Sequence, residues 1–157
     1  SMMDYDQYPF SKNGIMRWNW VDEHSREIVN QFQVKTPDVM EISRNLSGGN
    51  QQKMVVGREL SRDPELLIAV HPARGLDIGA TKYIHSQIIE ARTAGAAVLM
   101  VSTELDEVMD IPDRILVIYE GRVMAIIDQE DATRNELGLL MAGIDPKKSK
   151  NDEEQTA

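Results

Sequence analysis

The chain contains no cysteine. Disulfide staples, thiolate zinc sites and thiol nucleophiles are thereby excluded, and the composition suits a reducing compartment. Basic residues are scarce: 17 Lys+Arg stand against 26 Asp+Glu, a net charge of −9. That balance argues against nucleic acid as a partner, because phosphate-backbone binding relies on clustered lysine and arginine. No apolar run approaches about 18 residues, the length a membrane-spanning helix needs. The start, Ser1-Met2-Met3-Asp4, lacks the basic flank and apolar stretch of a signal peptide. Ser1-Met2 reads as a cloning remainder. What is present is enough apolar content, 41% of 157 residues, to bury the core of one domain.

Periodicity places the elements. Ile28, Val29 and Phe32 recur at helical spacing within 21–32, and Trp18 and Trp20 before them read as packing residues. Thr36-Pro37-Asp38 breaks the chain. A helix is expected from Gln51 to Leu60, with Met54, Val55 and Leu60 facing inward, and Asp63-Pro64 turns the chain after it. Leu66–Val70 and Ala97–Val101 are continuous apolar runs of strand length, which predicts parallel strands buried on both faces. Between them, residues 79–93 are amphipathic through Ile84, Ile88 and Ala91, with Gly95 at the helix C-cap. Leu105, Val108 and Met109 suit a short helix. A third strand, 115–119, joins 122–127 through Glu120-Gly121, a two-residue hairpin turn. Thr133-Arg134-Asn135-Glu136 is a capping box for a helix reaching Met141. The alternation of strands and helices gives an α/β class with a mainly parallel sheet. The charged tail beyond Pro146 has no apolar anchor and is expected to be disordered.

The informative stretch is Leu46-Ser47-Gly48-Gly49-Asn50-Gln51-Gln52-Lys53, at the start of an expected helix. A helix start offers unpaired N–H groups and a partial positive charge, both suited to an anion. The glycines let a phosphate approach the backbone, and Ser47 adds a hydroxyl donor. The plainer reading of Ser-Gly-Gly alone is a serine N-cap with a flexible entry turn. His24 and His85 stand singly on expected helices, without the clustering of a metal site. The acidic residues from Glu104 to Asp113 read as a solvated face, since no calcium-loop pattern is present.

The order of motifs adds weight to the anion-binding reading. The stretch 46–53 resembles the signature motif of ABC transporter ATPases, in the Asn-Gln-Gln-Lys form typical of simple-sugar and nucleoside importers. It is followed by an apolar strand, the loop Pro72-Ala73-Arg74-Gly75-Leu76-Asp77, a second strand ending Val101-Ser102-Thr103-Glu104, and the hairpin Tyr119-Glu120-Gly121-Arg122. Pro9-Phe10-Ser11 and the segment 136–143 look most like the nucleoside branch. The resemblance implies a P-loop NTPase-like core fragment, a mainly parallel sheet with flanking helices and an N-terminal helical subdomain. Its expected parts are the remainder 1–2, a helical subdomain with the signature over 3–62, the C-terminal part of the core over 63–145, and the tail 146–157.

In that family two nucleotide-binding domains share one polypeptide, and each ATP lies between the phosphate loop of one and the signature of the other. The resemblance therefore implies that Ser47, Gly48, Gly49 and Asn50 contact the γ-phosphate of an ATP, with Mg²⁺, held by the N-terminal domain. Asp77 would lie in the loop that crosses the domain interface; read alone, it is a surface aspartate capping the next helix. Membrane permease subunits are the other implied partners, placing the protein on the cytoplasmic face of the membrane.

A phosphate loop requires Gly-x-x-x-x-Gly-Lys-Ser/Thr, and the chain has no Gly-Lys pair. The expectation is a fragment that begins after that loop and has no catalytic residue or tight ligand of its own. Hydrolysing members carry Asp-Glu where this chain has Val70 and His71, and a histidine where it has Thr103. Valine cannot ligate magnesium; His71 reads either as a loop residue of a lapsed site or as a proton acceptor. An intact signature beside degenerate catalytic positions is the pattern of the second nucleotide-binding domain. The alternatives are a regulatory or interaction module on the same scaffold, and an ABC ATPase of DNA repair or translation, which the acidic charge disfavours. Losing its neighbouring strands, the sheet is expected to self-associate or to be covered by a shifted segment.

Overall fold

The computed structural model describes residues 5–146. Residues 1–4, with the expected cloning remainder, and the tail from residue 147 onward, where disorder is expected, lie outside the described residues. The chain forms two compact units, Ser1–Leu99 and Met100–Ala157.

The first unit opens with a short antiparallel hairpin, β1 (Ser11–Lys12) and β2 (Ile15–Met16), turned at Asn13-Gly14. Helix α1 (Trp18–Gln31) follows. Residues 18 and 20 lie about 200° apart on a helix, so the two tryptophans cannot share a face. Trp20 packs edge-on against Phe10 at 4.4 Å and stacks on His24 at 4.7 Å. Trp18 remains 65% exposed, so only one of the pair fills the packing role expected of both.

Helix α2 (Gly48–Leu60) and helix α3 (Ile78–Thr93) carry the rest of the unit's helical layer. Ala80, Ile84 and Ile88 form the buried stripe of α3 at i, i+4, i+8. Phe32, just past α1, is 2% exposed and rests on α2 at Gly57. Strand β3 (Leu66–Val70) leads through α3 to β4 (Ala97–Val101), and these two strands pair. The Ala97 N–H donates to the Glu65 carbonyl at 2.9 Å. That bond sets the start of β4 beside the start of β3, so the pair is parallel, as a helical crossover requires.

Burial on both faces of these strands, expected from their composition, is not observed. Leu66, Ile68 and Val70 are 57%, 58% and 60% exposed, and Leu99 and Val101 are 54% and 45% exposed. A helical layer covers β3 in part: Val55, Val56, Leu60 and Ile88 line a space with residues 67–70. The alternate row of β3, Leu66, Ile68 and Val70, stays more than half exposed. Ile68→Lys is therefore expected to change unfolding free energy by no more than about 0.5 kcal/mol, as an exposed position does. Light scattering of the same variant should show less self-association than the parent chain; equal association would place the sticky surface elsewhere.

The second unit contains α4 (Leu105–Asp110), β5 (Arg114–Tyr119), β6 (Arg122–Asp128) and α5 (Arg134–Met141). β5 and β6 form the expected hairpin, antiparallel, with Glu120 and Gly121 both at positive φ as a type I′ turn needs. Its inner face, Ile115 and Val117, packs with Leu137 and Leu140 of α5 and with Leu105, Val108 and Met109 of α4. Thr133 Oγ accepts the Glu136 N–H at 3.2 Å, which is the expected cap. Among the described residues the parallel pairing of the α/β fold resides in β3–β4, and the other two ladders are hairpins.

Candidate functional site

Helix α2 begins at Gly48 because Ser47, in extended conformation, ends the preceding turn and caps the helix. Ser47 Oγ accepts the Asn50 backbone N–H at 3.4 Å and the Asn50 side-chain Nδ2 at 3.0 Å. The helix itself offers no acceptor to the N–H groups of Gly48 and Gly49, which open its first turn. Gln51 Nε2 donates back to the Leu46 carbonyl at 2.9 Å and fixes the entry of the loop. Gln52 Nε2 donates to the Pro72 carbonyl at 2.7 Å and ties α2 to the loop after β3.

A cavity of about 310 Å³ opens beside this helix start, lined by Lys35, Ser47, Gly49, Asn50, Lys53, Asp77, Gly79 and Ala80. Four of the five residues singled out in the sequence thus share one concavity, and Gly48 lies between two of them in the chain. Asp77 caps α3, its Oδ1 accepting the Ala80 N–H at 2.9 Å. The plain capping role and a place beside the signature loop therefore coincide in one residue. The starts of α2 and α3 meet closely: a Cβ on Gly49 would sit 3.0 Å from Ala80 Cβ. Two helix N-termini and two lysines border the cavity beside one aspartate, in a chain of net charge −9.

Lys35 and Lys53 escaped the sequence reading as site residues. Lys53 stands four residues after Gly49, on the same side of α2, and that spacing was a usable signal. Lys35 arrives through a contact across 15 residues, its N–H donating to Asn50 Oδ1 at 2.9 Å; no local pattern encodes it. Lys53 Nζ donates to the Gln33 carbonyl at 3.4 Å and sits 4.2 Å from the centre of the Tyr83 ring, a cation–π contact.

The Tyr83 hydroxyl is buried and meets no hydrogen-bond partner among the described residues. Desolvation by burial, with the Glu90 carboxylate adding to it, pushes its pKa above the ordinary 10.0. The folded state thus holds this proton more tightly than the unfolded chain. Stability is unaffected below about pH 10 and falls as the pH rises beyond it, where only the unfolded chain releases the proton. Tyr83→Phe keeps the ring under Lys53 and removes the stranded hydroxyl. The variant should match or exceed the parent in thermal melts at neutral pH, by up to about 1 kcal/mol, and should lose less stability at alkaline pH.

Val70, His71 and Thr103 are not among the residues that line this cavity. Val70 ends β3 and His71 follows at φ 48, its carbonyl accepting the Arg74 N–H at 3.3 Å. Valine presents no lone pair, so the end of β3 does not fit a magnesium ion. Thr103 lies in the exposed turn before α4, where Ser102 Oγ accepts the Glu104 N–H at 3.0 Å. Among the described residues no group of three or more His, Asp or Glu could hold a metal, and no helix is long and apolar enough to cross a membrane.

Comparison with known proteins begins with the fold. No protein-family profile matches the chain. The ATP-binding cassette MJ0796, solved as a dimer in a post-hydrolysis state with ADP and Pi, superposes with a TM-score of 0.64 at 21% identity, covering 76% of this chain and 52% of the cassette. MJ1267, an ATP-binding cassette of an ABC transporter, gives 0.63 at 23% identity, covering 87% and 51%. The fold is that of the ABC ATPase cassettes. The sequence relatives are more specific. The guanosine import ATP-binding protein NupO of Bacillus subtilis is 45% identical over 148 residues, 94% of this chain and 29% of its own length. The nucleoside import ATP-binding protein NupA of Lactococcus lactis is 44% identical over 143 residues, 91% of this chain and 28% of its own. This chain is homologous to ATP-binding proteins of nucleoside and sugar import, and it spans less than a third of the length of these relatives.

Proposed function

We propose that this chain is the signature-bearing part of the second nucleotide-binding domain in an ATP-driven importer of a nucleoside or simple sugar. Residues 3–62 act as the helical subdomain and 63–145 as the C-terminal part of the core. The loop Ser47–Asn50 closes onto the γ-phosphate of an ATP held, with Mg²⁺, by the phosphate loop of the N-terminal domain of the same polypeptide. Closure is passed through the helical subdomain to membrane permeases, with the protein peripheral on the cytoplasmic face. The observation that carries this reading is the cavity at the start of α2, where Ser47, Gly49, Asn50 and Asp77 meet beside two lysines.

The chemistry of that cavity is binding, not bond breaking. Backbone N–H groups and one hydroxyl, with two lysines at the cavity wall, stabilise phosphate charge as it develops. ATP supplies the group that is transferred to water; this chain's residues position it and shield it. Val70 and His71, standing where hydrolysing members carry acidic residues, support an assignment of hydrolysis to the partner's side of the assembly. They would also suit a regulatory module on the same scaffold. Calorimetry tests the importer reading: the isolated chain should show little affinity for Mg-ATP and no turnover. Tight Mg-ATP binding by this chain alone would overturn the proposal.

A further inference from the structure

The carboxamide of Asn50 is engaged at both ends inside the chain. Its Oδ1 accepts the Lys35 backbone N–H at 2.9 Å, and its Nδ2 donates to Ser47 Oγ at 3.0 Å. A backbone N–H can only donate, so the carbonyl end must face Lys35 and the NH₂ end must face Ser47. Ser47 Oγ also receives the Asn50 backbone N–H at 3.4 Å. A hydroxyl has two acceptor lone pairs and one proton. With donors on both lone pairs, the proton is what Ser47 has left to offer to the cavity it lines.

We infer that Asn50 is a positioning residue that acts through Ser47. Its amide sets the Ser47 hydroxyl as an outward donor and ties the Lys35 segment, 15 residues away, to the start of α2. This departs from the role implied by resemblance, in which Asn50 itself holds the γ-phosphate, and it rests on the proposal that the cavity receives phosphate. An outward donor suits a phosphate oxygen and rejects a cation. The same strut keeps the Lys35 segment at the cavity wall.

Hydrogen exchange and steady-state kinetics test the inference together. Leucine is close to asparagine in size and can make neither bond. In the 157-residue chain, Asn50→Leu should speed exchange of the Lys35 amide about five- to tenfold, the equivalent of one neutral hydrogen bond. Asn50→Asp should keep that amide protected, because a carboxylate oxygen still accepts from it, and should turn the Ser47 hydroxyl inward. Unchanged Lys35 exchange in Asn50→Leu would overturn the inference.

In the assembled importer, Ser47→Ala, Asn50→Leu and Asn50→Asp should each lower kcat/KM. The double variant Ser47→Ala/Asn50→Leu should be no worse than the poorer single variant. Losses that multiply would show Asn50 contacting the phosphate independently and would sink the inference alone. A Ser47→Ala enzyme with unchanged kcat/KM would instead sink the phosphate reading of the cavity, and the inference with it.

Discussion

In an importer assembled around this chain, Gly48→Ala should lower the ATPase rate about 100-fold, the loss typical of blocking one donor to a developing negative charge. The isolated chain should be no less stable for the change. A Cβ built on Gly48 meets nothing within 4 Å, and its backbone is helical rather than left-handed. The fold therefore gives no reason for glycine at this position. Alanine is the better helix former, by up to about 1 kcal/mol in a helix interior. The reason for glycine must lie outside the chain, in something that approaches the Gly48 N–H more closely than a methyl group allows. Gly49 differs from its neighbour, because its Cβ would press on Ala80 and packing alone accounts for it. Thermal melts and ATPase assays of Gly48→Ala separate stability from function. An unchanged ATPase rate with unchanged stability would leave Gly48 without a role.

Gly57→Val should have the opposite profile and the largest effect on folding. A Cβ there would lie 2.7 Å and 2.8 Å from Cδ2 and Cγ of Phe32, and 3.0 Å from Ile28 Cγ2. Phe32 is 2% exposed, and Cγ is the base of its ring, so the ring cannot swing aside cheaply. Relief requires α1 and α2 to separate. Overpacking of this kind costs typically about 1–3 kcal/mol, and valine's β-branching adds to it in a helix. A melting temperature lower by roughly 10 °C is expected for a chain of this size. Because Lys35 reaches the cavity just beyond Phe32, the same variant should disturb the environment of Lys35 and Asn50, visible in amide spectra. A melting temperature within a degree of the parent would show that α1 and α2 do not pack at this glycine.

Local signals in the sequence agree with the structure where local forces decide it. Ser47 and Thr133 cap α2 and α5. Glu120-Gly121 makes the hairpin turn, and the stripe through Ile84 and Ile88 buries α3. Sequence and structure part where partners decide. Leu66–Val70 and Ala97–Val101 have the composition of strands covered on both sides, yet one row of each is open. Composition records the cover a strand is suited to, whereas exposure records the cover this chain supplies. Trp18 was grouped with Trp20 by type, although helix geometry sends them to different faces.

The site divides along the same line. Ser47, Gly48, Gly49 and Asn50 are contiguous, and their pattern was legible. Their meeting with Asp77 depends on the close approach of α2 and α3 at Gly49 and Ala80, which no spacing rule reveals. Lys35 depends on the Asn50 strut.

In the proposed assembly, Ser47–Asn50 touches the terminal phosphate of an ATP bound by another domain. Orthovanadate trapped with ADP occupies the position of that phosphate and, under ultraviolet light, cuts the polypeptide beside it. Applied to the assembled importer and mapped by mass spectrometry, this should cut the chain between Ser47 and Asn50, and Gly48→Ala should suppress the cut. Cleavage at the partner's phosphate loop, with none in residues 47–50 of this chain, would contradict the account.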